Sequence, residues 1–237
     1  MTPRNRMQPL VAMQAMRTLR RDPDDTAAAI RVIGALSGGS VRRGFRRFRA
    51  SARGARILRQ KCDLYDVLTD EERLLAMPPA SLGRTIIDWF RREKISTQGL
   101  VQASQAATGD ANADIGDEEQ TYRARILNLH DVFHVLAGYD RDLRGEAAVL
   151  AFTIGQNYNH GVAYLVWSAL REEGWRSPGG RLIRQAYRRG RRADLLVEQD
   201  WEDLFERPID SVREELRVGS PPMYEQLRST GAPILGN

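Results

Sequence analysis

Cysteine and histidine are scarce in this chain of 237 residues, which holds one cysteine, Cys62, and three histidines, His130, His134 and His160. A lone cysteine closes no disulfide within the chain and builds no cysteine-based metal site, so the chain reads as one from a reducing compartment. No apolar run approaches the roughly 18 residues of a transmembrane helix, so none is expected. The N-terminus, MTPRNRMQPLVAMQAMRTLRR, lacks the long apolar stretch and cleavage site of a secretory signal. Being basic and weakly amphipathic, it leaves an organelle transit segment as the alternative to a bacterial cytoplasmic chain. The period-two alternation of strands is nearly missing as well; apolar residues recur mostly every three or four positions.

Charge is plentiful but uneven. Lys plus Arg number 36 against 31 for Asp plus Glu, a net charge of +5. Arg42 to Lys61 holds eight arginines, one lysine and no acid, whereas Asp110 to Glu119 carries five acids. The spacing predicts helices over 9–20, 24–37 (with Pro23 at an early position), 41–61, 81–93, 119–137, 146–173, 179–200 and 208–217, with broken short helices over 63–76. Residues 102–118 read as an exposed connection, and Gly138 to Gly145 as a turn between the two longest helices. The expected architecture is all-α, an irregular helical bundle with a metal site between two long helices. It is divided into a basic segment over 1–21, a single helical domain over 22–224 and a tail over 225–237.

Chemistry concentrates in one stretch, HDVFHVLAGYDRDLRGE, which places His130, Asp131 and His134 within a helical turn and Glu146 beyond the glycine-bounded turn. At about 100° per residue, His134 lies about 40° and Asp131 about 100° from His130. Leu129, Val132 and Leu136 fall on the opposite side, where they can anchor the helix in core. Two imidazoles with one or two carboxylates suit zinc, iron or manganese; ordinary hydrogen-bonded histidines remain the alternative. HDxxH differs from the zincin HExxH, and the shorter aspartate argues against proteolysis. Arg123 projects about 20° from His130 and can hold a substrate carboxylate or pair with an acidic neighbour. On the next helix Glu146, Leu150, Thr153 and Asn157 share a face. Over an unbroken helix His160 stands about 21 Å of rise from Glu146, which keeps it out of the ligand set.

The 42–59 segment presents Phe45 and Phe48 on one stripe among Arg42, Arg46, Arg49, Arg53 and Arg56. Such a helix suits an anionic bilayer surface or a solvated face over core. No recognised motif accompanies its charge, and its aromatics are too few for a stacking platform, which argues against nucleic acid.

The HDxxHx11E stretch resembles the signature of the Coq4 family of ubiquinone-biosynthesis proteins. So do MPPASLGR, YRARILNLHD, Gln156 and AYRRGRRADLLVEQDWEDLFERPIDSVREELRVGSPPMY. The resemblance covers most of residues 22–224. It implies an all-helical protein with a metal, zinc by family habit and iron as the alternative, held by His130, Asp131, His134 and Glu146. It further implies oxidative decarboxylation of a polyprenylated aromatic quinone precursor, the C1 carboxylate being replaced by hydroxyl. Arg123 would assist, and Leu150, Thr153, Gln156 and Asn157 would line the substrate. The expected setting is peripheral at the inner membrane of a bacterium, or its matrix side in a mitochondrion. There the chain would meet other ubiquinone-biosynthetic enzymes and form a homo-oligomer. A non-catalytic prenyl-lipid-binding scaffold and a metal-dependent hydrolase are the competing readings. The chain departs from the family pattern at Thr153, where an acid is common, and in NYNHG after Gln156.

Overall fold

The computed structural model describes residues 6–60, 64–95 and 115–228, so Cys62 and most of the expected 102–118 connection lie outside the described residues. These residues form helices and no strands, as expected; the sole bridge pairs Ser81 with Pro208. The helices are α1 (Pro9–Arg21), α2 (Thr26–Leu36), α3 (Ser40–Ala50), α4 (Ala52–Gln60), α5 (Leu64–Thr69), α6 (Glu71–Ala76) and α7 (Leu82–Arg92). After them come α8 (Asp117–Ala137), α9 (Leu143–Gln156), α10 (His160–Glu173), α11 (Pro178–Arg192), α12 (Trp201–Phe205) and α13 (Ile209–Glu215). The chain divides into two compact units: the first is Met1–Gly44, Tyr139–Arg192 and Pro222–Ala232, the second Phe45–Gly138, Ala193–Pro221 and Pro233–Asn237.

In the first unit α9 packs along α11 through glycines that admit close backbone approach. A Cβ on Gly190 would stand 2.2 Å from the Phe152 carbonyl oxygen, and one on Gly155 2.7 Å from that of Tyr187. Ala15, Met16, Val32 and Leu165 form a buried cluster against which Leu150 and Tyr164 pack. The expected helix over 146–173 is in fact two. The Asn159 side chain accepts from the Gly161 and Val162 amides, 2.7 and 3.2 Å, and so starts α10 afresh. Gly161 then lies so close to Ile33 that a Cβ would meet its backbone at 2.4 Å. Two other long helices are also shorter than expected. Ser51 divides 41–61, accepting from the Gly54 amide at 3.0 Å, and α11 ends at Arg192. Pro23 stands before its helix rather than in it, because Asp25 caps α2 by accepting from the Ala28 amide.

A second feature of this unit is a polar clamp at the start of α9. Asp142 accepts from the Arg144 and Gly145 amides at 3.1 and 3.3 Å, from the Leu227 amide at 2.9 Å and from the Tyr224 hydroxyl at 2.7 Å. The same hydroxyl accepts from the Asp140 amide at 2.8 Å. Arg144 donates to Glu173 at 2.7 Å and to the Glu225 carbonyl at 3.0 Å. The stretch expected to begin a tail is therefore pinned through Leu227. Burial, and then Asp142 beside it, raise the Tyr224 phenol above its usual range. Burial likewise raises Tyr139, against the lowering effect of Arg189, whose guanidinium donates to its hydroxyl at 2.8 Å.

In the second unit two separated sequence segments meet backbone to backbone. The Leu82 amide donates to the Arg207 carbonyl at 2.9 Å and the Ile209 amide to the Ala80 carbonyl at 3.0 Å. Arg125, buried on α8, donates through Nε to the Val197 carbonyl at 2.8 Å. Phe45 and Phe48 of α3 turn inward, 8% and 1% exposed, with their ring centroids 5.9 and 5.2 Å from that of Tyr122.

Asp142→Ala should lower unfolding free energy by about 2 kcal/mol, since it removes a helix cap together with a buried acceptor; urea denaturation monitored by circular dichroism measures this. Stability should also decline in alkali. Above about pH 10 the unfolded chain loses phenolic protons that Tyr139 and Tyr224 keep when folded, so their contribution is full below that pH and lost as it rises. Unfolding midpoints taken from pH 8 upward should fall, and Tyr224→Phe should flatten the fall.

Candidate metal centre

The helix that carries the histidines is secured at both ends. Asp117, Glu118 and Glu119 occupy the first turn of α8, where negative charge complements the unsatisfied amides. At the other end Gly138 adopts φ +74° and its amide donates to the His134 carbonyl at 2.9 Å. Space as well as conformation requires glycine there, because a Cβ would meet Pro221 at 2.4 Å. Arg213 donates to the Leu136 and Val135 carbonyls at 2.9 and 3.0 Å, placing a cation on the last orphan carbonyls. Leu129, Val132, Phe133 and Leu136 are buried along the same helix, as the opposite-face reading expected for three of them.

Within this frame His134 is 1% exposed and stacks on Trp89 of α7, with ring centroids 5.2 Å apart and planes 24° from parallel. His130 meets His134 edge-on, and their Nε2 atoms are 3.2 Å apart. That separation suits a hydrogen bond in which one ring carries its proton on Nε2 and the other accepts. It equally suits two deprotonated Nε2 atoms on one ion: at metal–nitrogen bonds of about 2.0–2.1 Å, a 3.2 Å edge subtends about 100°, near the tetrahedral angle. The donor set therefore fits a divalent ion.

Glu146 lies half-buried in the first turn of α9, just after the clamp on Asp142, with the Arg141 Nε 4.0 Å from its Oε1. Among the described residues His130 and His134, both in the second unit, could offer nitrogen ligands to one metal ion, and Glu146 in the first unit is a carboxylate of metal-ligating type. Asp131, expected as a ligand beside them, is half-buried. The α9–α10 break removes the helical-rise argument about His160, which sits edge-on to Tyr158 at 5.1 Å.

Several of the other residues expected at the site have specific partners in the structure. Arg123 is engaged by Glu119, its Nη2 2.8 Å from Oε1, so the acidic-neighbour alternative is the one observed. Leu150 belongs to core packing in the first unit, and the Thr153 hydroxyl donates back to the Val149 carbonyl at 2.9 Å. The buried Gln156 amide donates to the Gly190 carbonyl at 2.6 Å, tying α9 to α11. Asn157 closes α9 through its own backbone amide, 2.7 Å from the Thr153 carbonyl. The expected membrane-facing stripe fails at Phe45 and Phe48, which pack on Tyr122. Of its arginines, Arg49 lies 3.6 Å from Glu118 and Arg53 donates to Gln199 at 3.1 Å, while Arg42 and Arg46 are exposed. Sequence reasoning missed Trp89, Arg213 and the Asp142–Tyr224 pair. Only Asp142, an acid directly before a helix, carried a local signal.

Residues 5–222 match the family model described as coenzyme Q (ubiquinone) biosynthesis protein Coq4. The chain is 31% identical over 178 residues to a mitochondrial ubiquinone biosynthesis protein coq-4 of Neurospora crassa, covering 74% of this chain and 49% of that protein. It is also 31% identical over 180 residues to the mitochondrial coq4 protein of Pyrenophora tritici-repentis, covering 74% and 58%. The chain thus spans about half to three-fifths of the length of these relatives. A crystal structure of a putative ubiquinone biosynthesis protein from Nostoc punctiforme superposes with TM-score 0.65 at 16% identity, covering 91% of this chain and all of that one, and so shares the fold.

His130→Ala and His134→Ala should each weaken zinc binding by at least about tenfold, as expected for loss of a ligand from a small donor set. Equilibrium dialysis with elemental analysis measures this. Full zinc occupancy in the double variant would exclude the pair as ligands.

Proposed function

Since this chain belongs to the Coq4 family of coenzyme Q (ubiquinone) biosynthesis proteins, we propose that it catalyses a metal-dependent oxidative decarboxylation. The substrate is a polyprenylated aromatic acid whose C1 carboxylate is replaced by hydroxyl. The observation that carries the proposal is the His130–His134 pair, with two Nε2 atoms converging at 3.2 Å at the end of a secured helix. In this reading, following the family pattern, Glu146 and Asp131 would complete the ligand set.

The reaction balances with dioxygen as oxidant. The aromatic acid and water give the phenol, carbon dioxide, two protons and two electrons, and dioxygen takes the electrons and protons as hydrogen peroxide. A bound zinc ion supplies Lewis acidity to an oxygen that gains charge, whereas iron also supplies a redox change. The chain's own part is to hold the ligands. His134 is kept from water by burial and by Trp89, and Gly138 and Arg213 prevent fraying of the turn that carries it. A bound ion would supply positive charge for the substrate carboxylate, and Arg123, paired with Glu119, is the nearby cation that the sequence assigned to the same task.

A bilayer surface is the proposed place of action, in keeping with the insolubility of a polyprenyl chain in water. Among the described residues no helix is long and apolar enough to cross a membrane. Support for surface attachment comes from the first unit, where α1 carries arginines and no acid and leaves Leu10 70% exposed beside Met7, Val11 and Met13. Exposed Trp167 and Trp175 have the Arg171 and Arg184 guanidinium groups over their rings, at 5.6 and 4.6 Å. These residues replace the α3 stripe in the proposal. The location is then the inner membrane of a bacterium or its matrix side in a mitochondrion, beside other enzymes of the pathway.

Purified protein loaded anaerobically with iron(II), or with zinc in a parallel sample, should release labelled carbon dioxide from a carboxylated polyprenyl-phenol once air is admitted. Glu146→Ala should reduce that release by at least about a hundredfold. Binding of the substrate without any release by the loaded protein would favour the scaffold reading. Ester or peptide cleavage that depends on His130 would favour the hydrolase.

A further inference from the structure

We propose that Trp89 is a positioning residue for the metal ligand His134, setting the plane of its imidazole, and that its indole reports occupancy of the ion. The inference rests on the metal reading above. A histidine's second side-chain torsion is broad, so a helix that fixes the His134 Cα leaves the direction of Nε2 open. Stacking closes that freedom. The Trp89 and His134 rings lie 24° from parallel with centroids 5.2 Å apart, and both side chains are buried. His130 meets the same imidazole edge-on at 4.8 Å, so the ring is bounded on a face by carbon and on an edge by the other ligand.

The indole is itself well placed to act as a fixed wall. Phe90 lies against it at 5.8 Å, and α7 is anchored at its start, where the Ser81 hydroxyl accepts from the Arg84 amide at 3.2 Å. The Leu82 amide donates to the Arg207 carbonyl, and a Cβ on Gly83 would stand 2.2 Å from the Met77 sulfur and 3.2 Å from the Phe205 carbonyl oxygen. An indole offers a donor and no acceptor, so Trp89 cannot be a ligand; its action passes through His134. Groups that orient ligand histidines are usually hydrogen-bond acceptors, and here an aromatic face performs the task.

The test uses the full chain and cobalt(II) alone, a paramagnetic ion whose ligand-field absorbance counts bound metal independently of fluorescence. Cobalt should quench part of the emission of the four tryptophans in step with its absorbance band, and diamagnetic zinc should restore it by displacement. Trp89→Phe, which keeps an aromatic face, should bind cobalt within about threefold of the wild-type affinity yet lose the quenching. Trp89→Leu should bind about tenfold or more weakly and show an altered cobalt band while its circular dichroism stays helical. Unchanged affinity and band in Trp89→Leu, or full quenching in Trp89→Phe, would overturn the assignment while leaving the histidine site intact. Failure of the wild-type chain to bind cobalt would overturn the metal reading itself and this inference with it. Should Trp89→Leu not fold, Trp89→Met takes its place as the variant without an aromatic face, and unchanged affinity and cobalt band there would overturn the positioning role.

Discussion

The convergence of two imidazole nitrogens depends on the last two turns of α8 remaining helical up to Gly138. Helix ends fray because their final carbonyls lack partners, and a ligand pair placed at such an end would lose its geometry first. Here the left-handed glycine returns its amide to the His134 carbonyl and Arg213 covers the next two carbonyls. The charge of the guanidinium opposes the helix dipole at the same place. Trp89 then lies against the face of the His134 ring, which the backbone alone does not orient.

Many residues that carry the family resemblance serve this frame rather than chemistry. MPPASLGR and ERPID are far apart in sequence, yet they meet through the Leu82–Arg207 and Ile209–Ala80 hydrogen bonds and start α7, the helix of Trp89. YRARILNLHD contributes Arg125, which anchors α8 to the segment around Val197. In the first unit, GSPPMY brings Tyr224 to Asp142, immediately ahead of Glu146. The ordered motifs are thus largely pieces of support, each buried or hydrogen-bonded so that a few ligating side chains are held in place.

The helices themselves were largely legible, because three- and four-residue spacing of apolar side chains follows directly from helical geometry. Their breaks were less so. Asn159 and Ser51 end or restart helices by short side-chain bonds to backbone, competing locally with continued helix, and periodicity is blind to that competition. The reading of α3 stopped short for a different reason. An apolar stripe announces that a face will be buried without naming what buries it, and of the two covers left open, bilayer or protein core, Tyr122 supplies the second for Phe45 and Phe48. Arg123 shows the same limit for charge: projection put it on the side of the histidines and left its partner open, and Glu119 one turn back is the partner observed.

By itself the sequence determined the all-helical class, the family and the proximity of His130 to His134. Each follows from local spacing or ordered motifs, and an i, i+4 pair on a helix must be neighbours. It also marked Gly138 as a helix end through glycine's tolerance of positive φ. Only the tertiary structure decided which imidazole is buried, which ring lies against it and which cation caps its helix. Trp89 and Arg213 reach α8 from positions 45 or more residues from His134 in the chain. Contacts across such separations arise from the packing of helices, and no local pattern encodes them.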